Sequence, residues 1–405
     1  MRIAPNRQDL LGPEEGWSLA PVVVWLLTRG RLITDPIALV NGLMDRLDDA
    51  GARIDRLRFV SGTLHPQVAA WGAVWSRGAS TRILTAAHGV HLTDSYHGSP
   101  VQTVRERGHD YRRRLDQGLA DDDIALLHDL RAEGMIDYYA VPMRFSSGVV
   151  NFLSIATSAA GGFTAPELER FHALANLLAP LIEIIEARRM TLGLLDAFVG
   201  PRISARILDG QVQRGDGERI EAAFWYSDLR GFTALSEALP AAQLMQLLND
   251  YFENCAAAAA ARGGDILQFI GDAILIVFEI TRPEEEAAVC NAALDAAIDA
   301  FASIAVVNHR RRRAGLPEIE FGLGLHLGSV THANVGAPNR LAFNVVGPAV
   351  NKTARIQSLT KQAGVPLLVS AEFATRIKRP LRAVGRFDLR GVAGTHEVFT
   401  VADGL

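Results

Sequence analysis

Apolar and polar positions follow different periods along the chain, and the changes of period divide it. Between residues 36 and 160 short runs of both kinds are mixed. Ala38–Leu47 repeats its apolar residues at helical spacing, and Ile54–Ser61 alternates as a strand does. Tyr138–Phe145 and Val149–Thr157 are two more strand-like runs, set around Ser146-Ser147-Gly148, a hairpin signal. From Pro166 the period becomes helical. Phe171, Leu174, Leu178, Leu181, Ile185, Leu192 and Leu195 follow 3,4 spacing, broken at Arg188, with Pro180 set to kink the helix. This stripe fits two readings, the seam of a parallel dimeric helix or the core-facing side of an amphipathic one.

Residues 199–219 carry Gly200, Gly210, Gly215 and Gly217 among Arg and Asp, and read as a linker. A second pattern starts near Glu221. Ala222–Ser227 is a strand. Pro240–Ala261 is a long helix with Leu244, Leu248, Tyr251 and Cys255 on one face, stopped by Gly263-Gly264. Ile266–Ile270 and Ala273–Phe278 form a tight hairpin around Gly271-Asp272. Glu284–Asn308 is a helix, Phe321–Val330 a strand, Pro348–Gln362 a third helix and Pro366–Ser370 a strand. The order βαββαβ is the split-βαβ, ferredoxin-like topology. The expected organisation is α+β: a lead-in over 1–35, an α/β domain over 36–187, a helical linker over 188–218 and a catalytic candidate over 219–405.

Composition narrows the function classes. The chain has 405 residues, 49% hydrophobic and 21% charged, which excludes wholesale disorder. A net charge of −4 gives no basic field for nucleic acid or anionic membrane. The two cysteines, Cys255 and Cys290, cannot make a disulfide framework or a Cys-rich metal site, and suit a reducing compartment. The opening MRIAPNRQDLLGPEEG lacks the apolar stretch of a secretory signal. Val22–Leu27 is far shorter than the roughly 20 residues that span a bilayer. A soluble cytoplasmic protein without nucleic-acid or membrane partners is expected.

Candidate chemistry gathers in the C-terminal part. Asp228 closes the first strand of Trp225-Tyr226-Ser227-Asp228-Leu229-Arg230-Gly231-Phe232-Thr233. A carboxylate at a strand end, followed by a glycine turn with free N–H groups, suits a metal beside a phosphate. Asp272 tips the hairpin, and in a ferredoxin-like sheet the central hairpin lies beside the first strand. The two carboxylates are thereby placed to share a divalent cation pair of the kind that clamps both oxygens of a phosphoryl displacement. Each Asp alone equally suits a solvated turn. Asn351 and Arg355, four apart, share a helix face, where an Arg can fork onto a phosphate or simply sit in water.

The strings WYSDLRGFT, QFIGDAILIVF, FGLGLHLGSVTHANVG and FNVVGPAVNKTARI, in this order and spacing, resemble the class III nucleotidyl cyclases, the adenylate and guanylate cyclase family, over about residues 219–402. The resemblance implies a reaction in which the ribose 3′-hydroxyl attacks the α-phosphate and expels pyrophosphate. It implies Asp228, Asp272 and the Leu229 carbonyl as ligands of two divalent cations, Mg2+ or Mn2+. Asn351 would orient the ribose, Arg355 would stabilise charge at the α-phosphate, and the Phe232–Thr233 backbone would touch the polyphosphate. The base-reading positions fall on Gln268 and Asn344, where the family's adenylate cyclases carry Lys with Asp or Thr and its guanylate cyclases Glu with Cys. Amides carry donor and acceptor and exchange them on rotation. Such a pair suits either base, which implies leaky selectivity; some members of the family look similar here and prefer ATP, so the resemblance favours ATP, and Ala342 stands where an Asp is common. The family's site lies between two catalytic domains, so one copy per chain requires a homodimer, held through the catalytic domain and the linker helix.

The N-terminal part resembles a GAF-like sensory domain, and the combination resembles proteobacterial cyclases that carry one. Its signal would be an unidentified small molecule or protein. Its histidines (65, 88, 91, 97, 109, 128, 172) pair at metal-ligand spacing only at His88/His91, and read as solvated. No Cys precedes residue 255, which excludes thioether attachment of a bilin. His309-Arg310-Arg311-Arg312-Arg313 reads as a solvated helix end. The alternatives to an adenylate cyclase are a mixed or guanylate cyclase and a silent nucleotide-binding dimer. A diguanylate cyclase is disfavoured, because Gly263-Gly264-Asp265 is followed by Ile-Leu and not by Glu and an aromatic.

Overall fold

In the N-terminal half every strand pairing is antiparallel, and the runs Asp137–Arg144 and Val150–Thr157 are buried at nearly every position, so both faces of their sheet are covered. A computed structural model describes residues 16–93, 96–121, 123–215, 217–337 and 340–402, so the first fifteen residues of the expected lead-in lie outside it. The chain divides into two compact units, Met1–Ala197 and Phe198–Leu405.

In the first unit, helices α1 (Ala20–Thr28) and α2 (Pro36–Asp49) precede strands β1 (Arg56–Gly62), β2 (Ala70–Ser76) and β3 (Arg82–Ala86). Helix α3 (Pro100–Arg107), β4 (Tyr111–Arg114), α4 (Ala125–Ala132), β5 (Asp137–Arg144), β6 (Val150–Thr157) and the exit helix α5 (Ala165–Val199) follow. The sheet order is β3-β2-β1-β6-β5-β4. Alternation in β1 turns Leu57 and Phe59 to one face, where they pack with Val22, Leu26, Leu39, Leu43, Trp71 and Phe171 of the core under α1, α2 and α5. The other face carries Tyr138 and Phe152 against Val104, Leu127 and Leu130 of α3 and α4. Helix α2 starts where Pro36 follows Asp35, whose carboxylate accepts from the Ile37 and Ala38 N–H groups. The expected helix over Ala38–Leu47 and the hairpin of β5 and β6 are present; β2, β3, β4, α3 and α4 were not anticipated.

Of the two readings of the stripe that begins at Phe171, the core-facing one holds and the dimeric seam is overturned for most of its length. Phe171, Leu174, Leu178 and Ile185 are buried in this unit's own core and Leu181 packs against it, so they cannot line a dimer seam. Only Leu192 and Leu195 remain half-buried. The helix runs through Pro180 without ending.

In the second unit the expected linker contains a helix, α6 (Pro201–Leu208), with Ile203 buried. Strand β7 (Gly217–Leu229) leads to α7 (Phe232–Ala238), α8 (Ala241–Ala260), β8 (Asp265–Ile270), β9 (Ala273–Ile280) and α9 (Glu286–Arg313). Then come β10 (Phe321–Ala337), β11 (Arg340–Val346), α10 (Pro348–Ala363), β12 (Leu367–Ser370), α11 (Ala371–Ala374), β13 (Leu381–Asp388) and β14 (Thr395–Val401). The sheet order is β13-β14-β12-β10-β7-β9-β8, with β11 added on β10. The succession β7-α8-β8-β9-α9-β10 is the expected βαββαβ core. Strands β11, β13 and β14 were not anticipated, because β13 is largely exposed and lacks clean alternation.

Strand β7 pairs with β9 on one side and β10 on the other, and both of its faces are covered. Ala223 and Trp225 face the core shared with α8 and α9, while Ala222 and Phe224 face Val330 and Ala349. By length and composition the stretch Pro283–Arg313 would suffice to cross a membrane, but Ala293, Ala297, Ala300 and Ile304 of α9 are buried in that core. The basic end of α9 is exposed as expected at His309, Arg310, Arg312 and Arg313 and is corrected at Arg311, which is buried, pairs with Asp250 at 2.8 Å and donates to the Pro317 carbonyl at 2.7 Å.

Helix α10 sits directly on β10, over a row of small residues. A Cβ at Gly324 would lie 2.6 Å from the Gln357 N and 2.8 Å from the Thr353 O, both backbone atoms of α10. The Gln357 amide donates to the Gly322 carbonyl at 3.3 Å. Gly324→Ala is therefore expected to destabilise the protein by about 1–3 kcal/mol through overpacking. Urea unfolding measures it, and a loss below about 0.5 kcal/mol, the scale of an ordinary surface change, would contradict so close a seat.

Candidate active site

The end of β7 carries the chemistry because pleating sends Tyr226 and Asp228 to the face opposite Trp225 and Ser227. In register, Asp228 lies beside Ala273, the first residue of β9. Asp272 is the preceding turn residue, and Gly271 reaches it at φ +63, in the left-handed region that favours glycine. The hairpin thus delivers the Asp272 carboxyl within hydrogen-bonding reach of Asp228.

Two like charges so close resist ionising together. Burial, then the hydrogen bond and charge of Asp272, push Asp228 up to about 7. The Leu229 amide hydrogen-bonds the same carboxyl and pulls the other way. The Asp228 Oδ1 is buried without a hydrogen-bond partner. Tyr226 on the same face is also pushed up, by burial and then by the two carboxylates.

An orphaned carboxylate oxygen beside a second carboxylate fits a hard divalent cation, which takes oxygen ligands. No group of three or more His, Cys, Asp or Glu converges among the described residues. A cation here would take two carboxylates, with remaining positions left to main-chain, water and substrate oxygens, as Mg2+ or Mn2+ prefer.

Beneath the strand, the Ser227 hydroxyl accepts from the Trp225 indole N–H at 2.9 Å, and the Tyr251 hydroxyl bonds it at 2.7 Å. This buried network anchors the residue next to Asp228. Neither Tyr226 nor the Ser227–Tyr251 contact was singled out in the sequence. Tyr251 lay in the apolar stripe of α8, and its polar tip gave no periodic signal.

The remaining candidates surround this corner. Gly231 adopts φ +71 before α7, so the first N–H groups of that helix, at Phe232 and Thr233, have no intrahelical acceptor. Asn351 and Arg355 are exposed on one face of α10. Among the described residues, Arg355 makes no ion pair with either carboxylate. Gln268 is exposed on β8, just past a bulge where the register shifts between Ile266 and Gln268.

Asn344 lies on β11 opposite Ala333 and is half-buried. Its Oδ1 accepts from the Val345 N–H at 2.8 Å. The sequence leaves open whether neighbouring groups pin this amide, and here the Val345 N–H holds its oxygen.

The histidines of the first unit form no metal cluster among the described residues. His88 Nε2 instead lies 2.8 Å from the His65 carbonyl, and His172 stands 3.6 Å from Asp110.

Comparison with known proteins gives this corner a context. Residues 218–402 match the family model of the adenylate and guanylate cyclase catalytic domain. An adenylate cyclase of Anabaena cylindrica is 34% identical over 159 residues, covering 38% of this chain and 30% of that protein. Adenylate cyclase 1 of Rhizobium meliloti (strain 1021) is 28% identical over 189 residues, covering 45% of this chain and 28% of that protein. The solved adenylyl cyclase CyaB from P. aeruginosa is 28% identical, with 47% of this chain and 97% of that one covered and a TM-score of 0.43. The chain therefore spans less than a third of the curated relatives named here.

The raised Asp228 sets a pH dependence in metal-free protein. Unfolded, an Asp titrates near 3.9. From there to about 7 the folded chain keeps a proton that the unfolded chain has lost, so stability falls as pH rises through this window. Asp228→Asn should raise metal-free Tm at pH 8 by about 2–4 °C, some 1 kcal/mol after allowing for solvent screening. It should give no gain below pH 4. Mn2+ should stabilise the natural protein at pH 8 and not this variant. Thermal unfolding with and without Mn2+ tests this, and equal Mn2+ stabilisation of both would remove Asp228 from the cation site.

Proposed function

We propose that the C-terminal unit, which is an adenylate and guanylate cyclase catalytic domain, works as a homodimer that converts ATP to 3′,5′-cyclic AMP and pyrophosphate, under control of the N-terminal unit. The observation that carries this reading is the Asp228–Asp272 pair in a half-buried corner, followed along the chain by the start of α7, whose first N–H groups have no intrahelical acceptor. A pair of divalent cations bound there supplies the Lewis acidity that offsets charge on the transferring phosphate.

The chain's own residues do the rest. Asp228, Asp272 and the Leu229 carbonyl hold the cations. The Phe232 and Thr233 N–H groups receive the polyphosphate. Asn351 orients the ribose so that its 3′-oxygen faces the α-phosphorus, and Arg355 stabilises charge on that phosphate as the bond to pyrophosphate breaks. Gln268 and Asn344 read the base. Because Arg355 pairs with neither carboxylate of its own chain, a site using both is best built across two chains.

The six-stranded antiparallel sheet, its β5–β6 hairpin and the long exit helix support reading the first unit as a GAF-like sensory domain. Its exit helix runs to Val199, and the second unit begins within the last turn of that helix, at Phe198.

One observation favours a second reading for the base. With its oxygen held by Val345, Asn344 presents a donor, which suits the O6 of guanine better than the N6 amino group of adenine. GTP is therefore a competing substrate. Asn344→Asp keeps the Val345 bond and turns the other group into an acceptor. It should raise the ratio of kcat/KM for ATP over GTP about tenfold or more, the effect of one unsatisfied buried group. Product assays with ATP and GTP, each with Mg2+ and Mn2+, measure the ratio; an unchanged ratio in an active variant would show that Asn344 does not read the base.

The shared site has its own test. Asp228→Ala and Arg355→Ala proteins should each be inactive alone and recover activity when mixed, since one of the two sites in a heterodimer is then intact. No recovery in a mixture shown to contain heterodimers would refute the shared site.

A further inference from the structure

Within the first unit, helix α5 closes one side of a cavity of about 280 Å3, at the lower end of the range for small-ligand pockets. Arg189, Leu192 and Gly193 line it from the helix, Trp71 from β2, and Val68 from the loop after β1. Glycine at 193 lets that loop approach, since a Cβ there would lie 2.6 Å from His65 Cδ2. Two features of this cavity call for positive charge. The Arg189 guanidinium lies over the Trp71 ring, 4.5 Å from its centroid, although Arg189 is exposed and makes no ion pair among the described residues. Glu186, one helical turn earlier, is only 7% exposed. Its Oε2 accepts from the Trp71 indole N–H, while its Oε1 is buried without a hydrogen-bond partner. A buried carboxylate without a counter-charge is costly, and an indole face attracts cations.

We propose that this cavity binds a small guanidino compound, an alkyl chain ending in a guanidinium, whose charged head takes the place of Arg189 on Trp71 and pairs with Glu186. Arg189 itself shows that the seat fits such a head, for it already lays a planar guanidinium on the ring. No ion pair among the described residues holds Arg189 there, so its long side chain is free to give way to solvent. The arriving head brings N–H donors, which Glu186 Oε1 lacks. Val68 and Leu192 offer apolar surface to the alkyl chain. An anionic ligand would instead set its charge beside that of Glu186. The site lies wholly in the first unit, so binding does not depend on the cyclase reading. It gives the proposed sensory role a ligand class, and only that role rests on the reading above.

Titration calorimetry on the full chain tests this with three probes of similar length: butylguanidinium, its neutral isostere butylurea, and pentanoate. Butylguanidinium should bind at one site per chain, and the other two at least about tenfold more weakly. Glu186→Gln keeps an acceptor for the Trp71 indole and removes the charge, so it should weaken butylguanidinium binding about tenfold or more. Arg189→Ala should tighten it about threefold or more, because a resident cation that occupies the seat lowers the apparent affinity. A merely structural role for either residue would shift Tm without these opposite effects on binding. Should Glu186→Gln fail to fold, Arg189→Ala, at an exposed position, carries the test with the three probes. No binding of butylguanidinium, equal binding of butylurea or pentanoate, or binding that Arg189→Ala fails to tighten overturns the site. Binding as expected, with cyclase activity that does not respond to saturating butylguanidinium, upholds the site and overturns its sensory role.

Discussion

Two carboxylates held against each other in a half-buried corner are the constraint around which the C-terminal unit is arranged. Left alone, Asp228 and Asp272 repel, and burial adds to the cost of ionising them. The fold keeps them together by covering β7 on both edges and both faces, so the strand end cannot swing away. The tight turn through Gly271 leaves Asp272 little freedom to retreat. Ser227, tied to Trp225 and Tyr251 under the strand, keeps the neighbouring backbone from relaxing. Such a corner is preorganised for positive charge, and electrostatic preorganisation is where catalytic sites concentrate their effect.

The same rigidity explains where the other functional groups stand. Gly324 brings the backbone of α10 into contact with β10, so Asn351 and Arg355 project from a helix that has little room to shift. Arg355 makes no ion pair with the carboxylates of its own chain. Under the proposed reading, catalysis then depends on how two rigid units face each other.

Residue spacing alone made much of this legible. The βαββαβ order, the hairpin carrying Asp272 and the helix carrying Asn351 and Arg355 follow from local periodicity and from glycine turns, which act over a few residues. Edge elements such as β4, β11 and β13 escaped, because a strand paired on one side needs little apolar alternation. The stripe through Phe171 was visible, but what it faced was not, since a helix that packs on its own domain and one that packs on a twin share the same period.

What the sequence by itself determined is the set of chemical groups and their order: paired aspartates at a strand end and a hairpin tip, an Asn and an Arg one helical turn apart, two neutral amides at the positions proposed to read the base. These depend on covalent neighbours and backbone preferences. Only the tertiary structure decided that Asp228 is desolvated and raised by Asp272, that Arg311 is a buried ion-pair partner and not a solvated residue, and that the Asn344 oxygen accepts from the Val345 N–H. Each of these is set by dielectric surroundings and by partners in space, and in the first two the partner is dozens of residues away. Even at Asn344, where the partner is the next residue, pattern along the chain carries no record of it, because the β11 backbone settles whether that N–H is left for a side chain.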